Sequence, residues 1–118
     1  MTLDRAAASL AILSGLLGLA HIALTFVIYP AWNLEALWFF GTGVAIVIGA
    51  LANGLTLDAS SRTNGLVLTL INAAMTAFFL SAWWVLPALQ VLVGGLLFTI
   101  LLMVSIRRNF AAATLKQP

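Results

Sequence analysis

The chain of 118 residues carries only eight charged side chains, Asp4, Arg5, Glu35, Asp58, Arg62, Arg107, Arg108 and Lys116. They make up 7% of it, against roughly 25% in soluble domains, while 64% is hydrophobic. Eight charges cannot coat a water-soluble domain of this size, which excludes a soluble enzyme, and five basic residues spread over three segments make no nucleic-acid-binding cluster despite the formal charge of +2.

The positions of the charges define the elements. Residues 6–34, 36–57 and 63–106 are free of charge, in runs of 29, 22 and 44 residues. A hydrocarbon core about 30 Å thick takes about 20 helical residues, so the first two runs hold one span each and the third holds two. The reading is an all-α integral membrane protein, a single domain of four transmembrane helices over 5–28, 34–57, 63–86 and 87–106. Short connections predict an antiparallel, up-down-up-down four-helix bundle.

In the first span, Gly18-Leu19-Ala20 has the small-x-small form of a signal-peptide cleavage site. Asp4 leaves the leading segment barely positive, however, and the apolar run continues past His21 to Ile28, so retention of the span is expected. At 100° per residue Ser14, Gly18, His21 and Thr25 fall within about 60° of one another, a small and polar stripe expected to face protein rather than lipid. His21 is an ionisable group inside a span, which is costly and marks it as a candidate for binding or proton transfer. Its competing reading is a neutral imidazole bonded to a Thr, an Asn or a carbonyl. One His with no second His, Cys or buried carboxylate is inadequate as a metal site in one chain, so neither a metal nor any other cofactor is expected.

After the connection Tyr29-Pro30-Ala31-Trp32-Asn33, the second span opens on Glu35, whose charge suits a helix start and is read as an interfacial cap. Gly41, Ala45 and Gly49 follow the small-xxx-small spacing of close helix packing, and Asn53 continues the ridge. Thr42 lies about 12 Å below Leu34, the depth of His21 below Tyr29. Gly41-Thr42-Gly43 has neither a lysine nor a preceding strand and is rejected as a phosphate loop.

The second connection is Asp58-Ala59-Ser60-Ser61-Arg62. In the third span Thr69, Asn72 and Thr76 share a face, with Thr76 about 15 Å below Leu86, and Asn53 and Asn72 are expected to act as interhelical hydrogen-bonding groups. Trp83 and Trp84 read as interfacial anchors. Pro87 is predicted at the first turn of the fourth helix, where its missing N–H is not needed. That helix carries Gln90 and Gly94 four residues apart, and 111–118 is read as a frayed helix end.

Four spans put Arg5, Arg62, Arg107, Arg108 and Lys116 on one side and no Lys or Arg on the other. The positive-inside rule then predicts cytoplasmic N- and C-termini, with a bacterial inner membrane as the expected location. Tyr29, Trp32, Trp38, Trp83 and Trp84 fall near the opposite face, at the headgroup layer. The lack of cysteine excludes disulfides, thiolate metal sites and thiol catalysis. In size and span number the chain resembles the small multidrug-resistance transporters. Those carry a membrane-embedded glutamate in the first helix, where this chain has His21 and hydroxyls, which argues against proton-coupled export.

Three functions follow as expectations. The first is a non-catalytic membrane protein acting through helix packing, as a homo-oligomer or an accessory subunit of a larger membrane complex. The second is a binding protein or small transporter for an apolar ligand such as a lipid, quinone or hydrophobic cation, in a pocket among His21, Thr25, Glu35, Thr42, Asn72, Thr76 and Gln90 with Trp38 and Trp83 at its rim. The third is a membrane-embedded isomerase or hydrolase using His21 as acid or base with Glu35 to orient it. The lipid bilayer is the common partner of all three.

Overall fold

The computed structural model describes residues 3–55 and 61–114. Over these residues the chain forms four helices and no strand: α1 (Leu3–Ile28), α2 (Leu34–Leu55), α3 (Arg62–Val85) and α4 (Leu89–Thr114). Each is long and apolar enough to cross a membrane, and the shortest, with 22 residues, measures about 33 Å at 1.5 Å per residue. Asp58, Lys116, the end of the span predicted to residue 57 and most of the second connection lie outside the described residues.

The helix ends differ from expectation in three places, each for a local reason. The Ala36 N–H donates to Asn33 Oδ1 at 2.9 Å and the Leu37 N–H to the Asn33 carbonyl at 3.0 Å, so the cap of α2 is Asn33 rather than Glu35. A cap must stand before the helix and accept from the N–H two or three residues on. Glu35 is already inside the first turn, exposed, where its charge complements the helix dipole.

Pro87 is not the first residue of α4 but the middle of the preceding turn. The Ala88 N–H donates to the Leu86 carbonyl at 2.8 Å, closing three residues around a proline whose locked φ suits that turn. The Ala88 carbonyl then accepts from Val91 and Leu92, and α4 starts at Leu89. At its other end α4 runs past Ile106 to Thr114, through Arg107 and Arg108. An apolar run ends where hydrocarbon ends, but a helix ends where its backbone bonds end, and Ala111-Ala112-Ala113 favours continuation.

The buried positions alternate steps of three and four residues. On α1 they are Ala7, Ala11, Ser14, Gly18, His21 and Thr25; on α4, Val91, Gly94, Phe98, Leu101 and Ser105, with Val104 beside the last. That alternation is the period of a seam between long helices. The outer faces are the more apolar, with Ile12, Leu16, Leu19 and Phe26 exposed on α1 while a serine and a histidine lie inside. A fold in water does the reverse, so hydrocarbon is the medium that suits this surface.

Packing is tightest between α1 and α2 and between α3 and α4, thinner between α1 and α4, and thinner still between α2 and α3. At the centre lie Ile46, Phe79, Val91, Phe98 and Leu101. The rings of Phe79 and Phe98 stack with centroids 5.9 Å apart. Phe98 covers Gly49 and Phe79 covers Gly94, leaving no space for a Cβ at either glycine. Adjacent helices can approach there because each ring occupies the space a side chain would take.

Candidate functional site

The polar interior draws on all four helices, α4 contributing Ser105. The α1 stripe of Ser14, Gly18, His21 and Thr25 is buried throughout. At its closest point Gly18 lies against Gly43 of α2, where a Cβ on Gly18 would stand 2.8 Å from the Gly43 carbonyl oxygen and one on Gly43 would stand 2.8 Å from the Gly18 carbonyl oxygen. Two backbones touch there, as small residues permit in a membrane.

His21 sits one turn from that contact and is 6% exposed. Its Nδ1 lies 3.1 Å from the Leu17 carbonyl oxygen, and because a carbonyl only accepts, Nδ1 carries the proton. In the neutral ring Nε2 is then left as an acceptor. The imidazole stacks on Phe39 at 4.7 Å between centroids, and Tyr29 tilts against the same phenyl ring at 5.8 Å. Phe39 thus holds the imidazole in place. Glu35, one turn before Phe39, forms no ion pair with His21. Beside this group Phe26, Trp32 and Phe40 form a second aromatic cluster at the α1–α2 turn.

Deeper in, Asn53 and Asn72 join α2 to α3 by a reciprocal amide pair. Asn53 Nδ2 donates to Asn72 Oδ1 at 2.7 Å, and Asn72 Nδ2 donates to Asn53 Oδ1 at 3.0 Å. Asn53 Nδ2 also donates to the Gly49 carbonyl at 2.8 Å. Both residues are buried, so each amide answers the other's need for a partner. Between α3 and α4, Asn109 Nδ2 donates to the Gly65 carbonyl at 3.1 Å and to Thr69 Oγ1 at 2.9 Å.

Six hydroxyls turn back on their own helices. Thr25, Thr42, Thr69, Thr76, Ser81 and Thr99 each donate to the carbonyl four residues earlier, which satisfies the hydroxyl without a neighbour. Among the buried hydroxyls described, Ser14 differs: it is 0% exposed and its Oγ has no partner. Among the described residues no three His, Cys, Asp or Glu side chains come together as a metal-ligand set.

The residues assigned to an apolar-ligand pocket are therefore scattered in role. His21, Thr25, Asn72 and Thr76 are buried, Thr42 and Gln90 are half-buried, and Glu35, Trp38 and Trp83 are exposed. A shallow groove of about 260 Å³ lies between α3 and α4, lined by Phe79, Leu80, Trp83, Val91, Leu92 and Gly95. Of the pocket set, only Trp83 lines it.

Among the packing residues, Gly18, Gly49, Asn53 and Gly94 are buried and Ala45 is half-buried. Gly41 is exposed, with nothing within 4 Å of where its Cβ would stand. The close glycine of α2 is Gly43, two residues on. Gly43 and Phe39 escape a search by residue type because their roles are set by neighbours. Asn109 escapes because a polar residue next to two arginines reads as solvated. Comparison with known protein families, curated proteins and solved structures finds no match.

Proposed function

We propose that the protein is a four-span membrane packing unit that acts by associating with another transmembrane helix, in the simplest case a second copy of itself. The observation that carries this reading is that, of the seven buried polar residues described, six are bonded within their own helix or to a neighbouring one. Asn53 and Asn72 join two helices, while His21, Thr25, Thr76 and Ser105 bond to carbonyls of their own helices, so most of the buried polar groups already have a partner inside the bundle. Gly41 supports the reading from outside. It is open on the lipid-facing side of α2, with Trp38 exposed one turn before and Ala45 one turn after, the kind of surface along which a second helix approaches closely.

The helices run alternately up and down in this proposal. Two contacts support it: Asn109 near the end of α4 reaches Gly65 and Thr69 near the start of α3, and Asp4 at the start of α1 lies 3.6 Å from Arg108 near the end of α4. The split of five basic residues to none then places both termini in the cytoplasm, with a bacterial inner membrane as the proposed location.

The test is native mass spectrometry of the tagged protein released from lipid nanodiscs. A dimer or a complex with another membrane protein is expected, reduced to monomer by Gly41→Leu, a change that adds bulk only on the outer face. Monomer alone in the wild type, with no companion protein, would overturn the proposal. A second reading rests on the α3–α4 groove, whose largely apolar lining includes Trp83 and Gly95 and would suit an apolar chain. Quenching of tryptophan fluorescence by a brominated lipid, abolished in Gly95→Leu, would favour it.

A further inference from the structure

Arg107 and Arg108 are adjacent in sequence and face opposite ways. Arg108 is 23% exposed in its side chain and pairs with Asp4 of α1 at 3.6 Å. Arg107 is exposed and has no acidic partner among the described residues. At 100° per residue Arg107 continues the outer ridge of α4 through Leu96, Ile100 and Met103, all exposed, and Phe110 extends it at 70% exposure. This ridge lies opposite the buried line of Gly94, Phe98, Leu101 and Ser105.

Length fixes the depth. From Leu89 to Ile106 the helix has 18 uncharged residues, about 27 Å at 1.5 Å per residue, close to the roughly 30 Å of a hydrocarbon core. Arg107 therefore leaves the hydrocarbon at the level where phospholipid phosphates lie, on the side of the helix that lipid touches. A guanidinium offers planar paired donors that match two phosphate oxygens, and the exposed phenyl ring of Phe110, about 4.5 Å farther out along the same ridge, lies in the headgroup layer beside it.

We propose that Arg107, with Phe110, binds the phosphodiester of an anionic membrane phospholipid, while Arg108 is reserved for the ion pair that ties α4 to α1. The site requires α4 to span the membrane but does not depend on the protein's assembly with another chain. Charge sets its preference: a zwitterionic headgroup offers the same phosphate with a competing cation, so phosphatidylglycerol is favoured over phosphatidylcholine.

The experiment reconstitutes the protein in nanodiscs of equal phosphatidylglycerol and phosphatidylcholine and counts retained lipid by native mass spectrometry. The wild type is expected to keep phosphatidylglycerol selectively. Arg107→Gln is expected to lower that retention about fivefold, the equivalent of roughly 1 kcal/mol per basic residue at an anionic surface, and Arg108→Gln to leave it within about twofold. Equal retention in Arg107→Gln and wild type would overturn the site. Complete displacement by excess inorganic phosphate would also overturn it, by making the occupant a free anion. Both variants are expected to resist alkaline extraction from membranes; release of Arg107→Gln alone would overturn the spanning of α4 and the site with it, whatever the state of assembly.

Discussion

Along α1 and α2 two backbones meet with no side chain between them, at Gly18 and Gly43, whereas α2 and α3 meet across two whole amide side chains, Asn53 and Asn72. The first contact belongs to a closely packed pair of helices and the second to a thinly packed one. With lipid outside, apolar surface gains nothing by leaving solvent, so a seam must be held by close van der Waals contact or by hydrogen bonds. Of these two pairs, the one that touches along its length uses the first device and the thinly packed one uses the second, while α3 and α4 combine close packing with the hydrogen bonds of Asn109. The consequence is a difference in sensitivity. The glycine seam fails when atoms are added, and the amide seam fails when atoms are removed.

The largest effect is expected from addition. Gly18→Ala places a methyl group against the Gly43 carbonyl and Val47, and neither can move without shifting backbone, so a loss of about 1–3 kcal/mol is expected in SDS-titration unfolding. Gly41→Ala, in open space two residues from Gly43, should stay within about 0.5 kcal/mol of wild type. Equal losses at Gly18 and Gly41 would break the assignment of the seam.

Removal comes next. Asn72→Ala leaves Asn53 Oδ1 buried without its donor and should cost about 1–2 kcal/mol, with a double-mutant cycle against Asn53→Ala reporting the coupling. Additive losses from the two single variants would mean that the pair does not hold α2 to α3.

The smallest effect sharpens the rule by its sign. Ser14→Ala removes a buried hydroxyl that has no partner, so the same titration should give no loss, or a gain of a few tenths of a kcal/mol. A loss above about 1 kcal/mol would show that Ser14 makes a bond in the membrane.

The contrast between two small-residue ridges explains how much was legible beforehand. Ser14, Gly18, His21 and Thr25 are spaced four, three and four residues apart, which holds them on one side of a helix, and all four are buried. Gly41, Ala45, Gly49 and Asn53 are spaced by fours throughout. Each such step drifts about 40° around the helix, so three steps turn the ridge by about 120° and carry Gly41 out to the lipid side. The buried line of α2 instead runs through Ala36, Gly43, Ile46, Ala50 and Asn53. Asn53 and Asn72 were identifiable because an amide in a span demands a partner and few partners exist. The Phe39 stack on His21 was not, since an aromatic residue in an apolar run carries no demand that distinguishes one face from another.

The sequence by itself determined that this chain inserts in a membrane and forms four long helices, because so few charges, placed at the ends of apolar runs, leave no other arrangement for its backbone. Even the break at Pro87 was set locally, though the turn rather than the next helix took the proline. Tertiary structure alone decided how each helix is rotated about its axis. That choice makes Gly43 rather than Gly41 the contact with α1, sets His21 against Phe39, and turns Arg108 toward Asp4 while leaving Arg107 on the exposed face. An apolar helix in hydrocarbon is nearly indifferent to such rotation until neighbours pack against it, so the contacts, not the composition, fix the face that each residue presents.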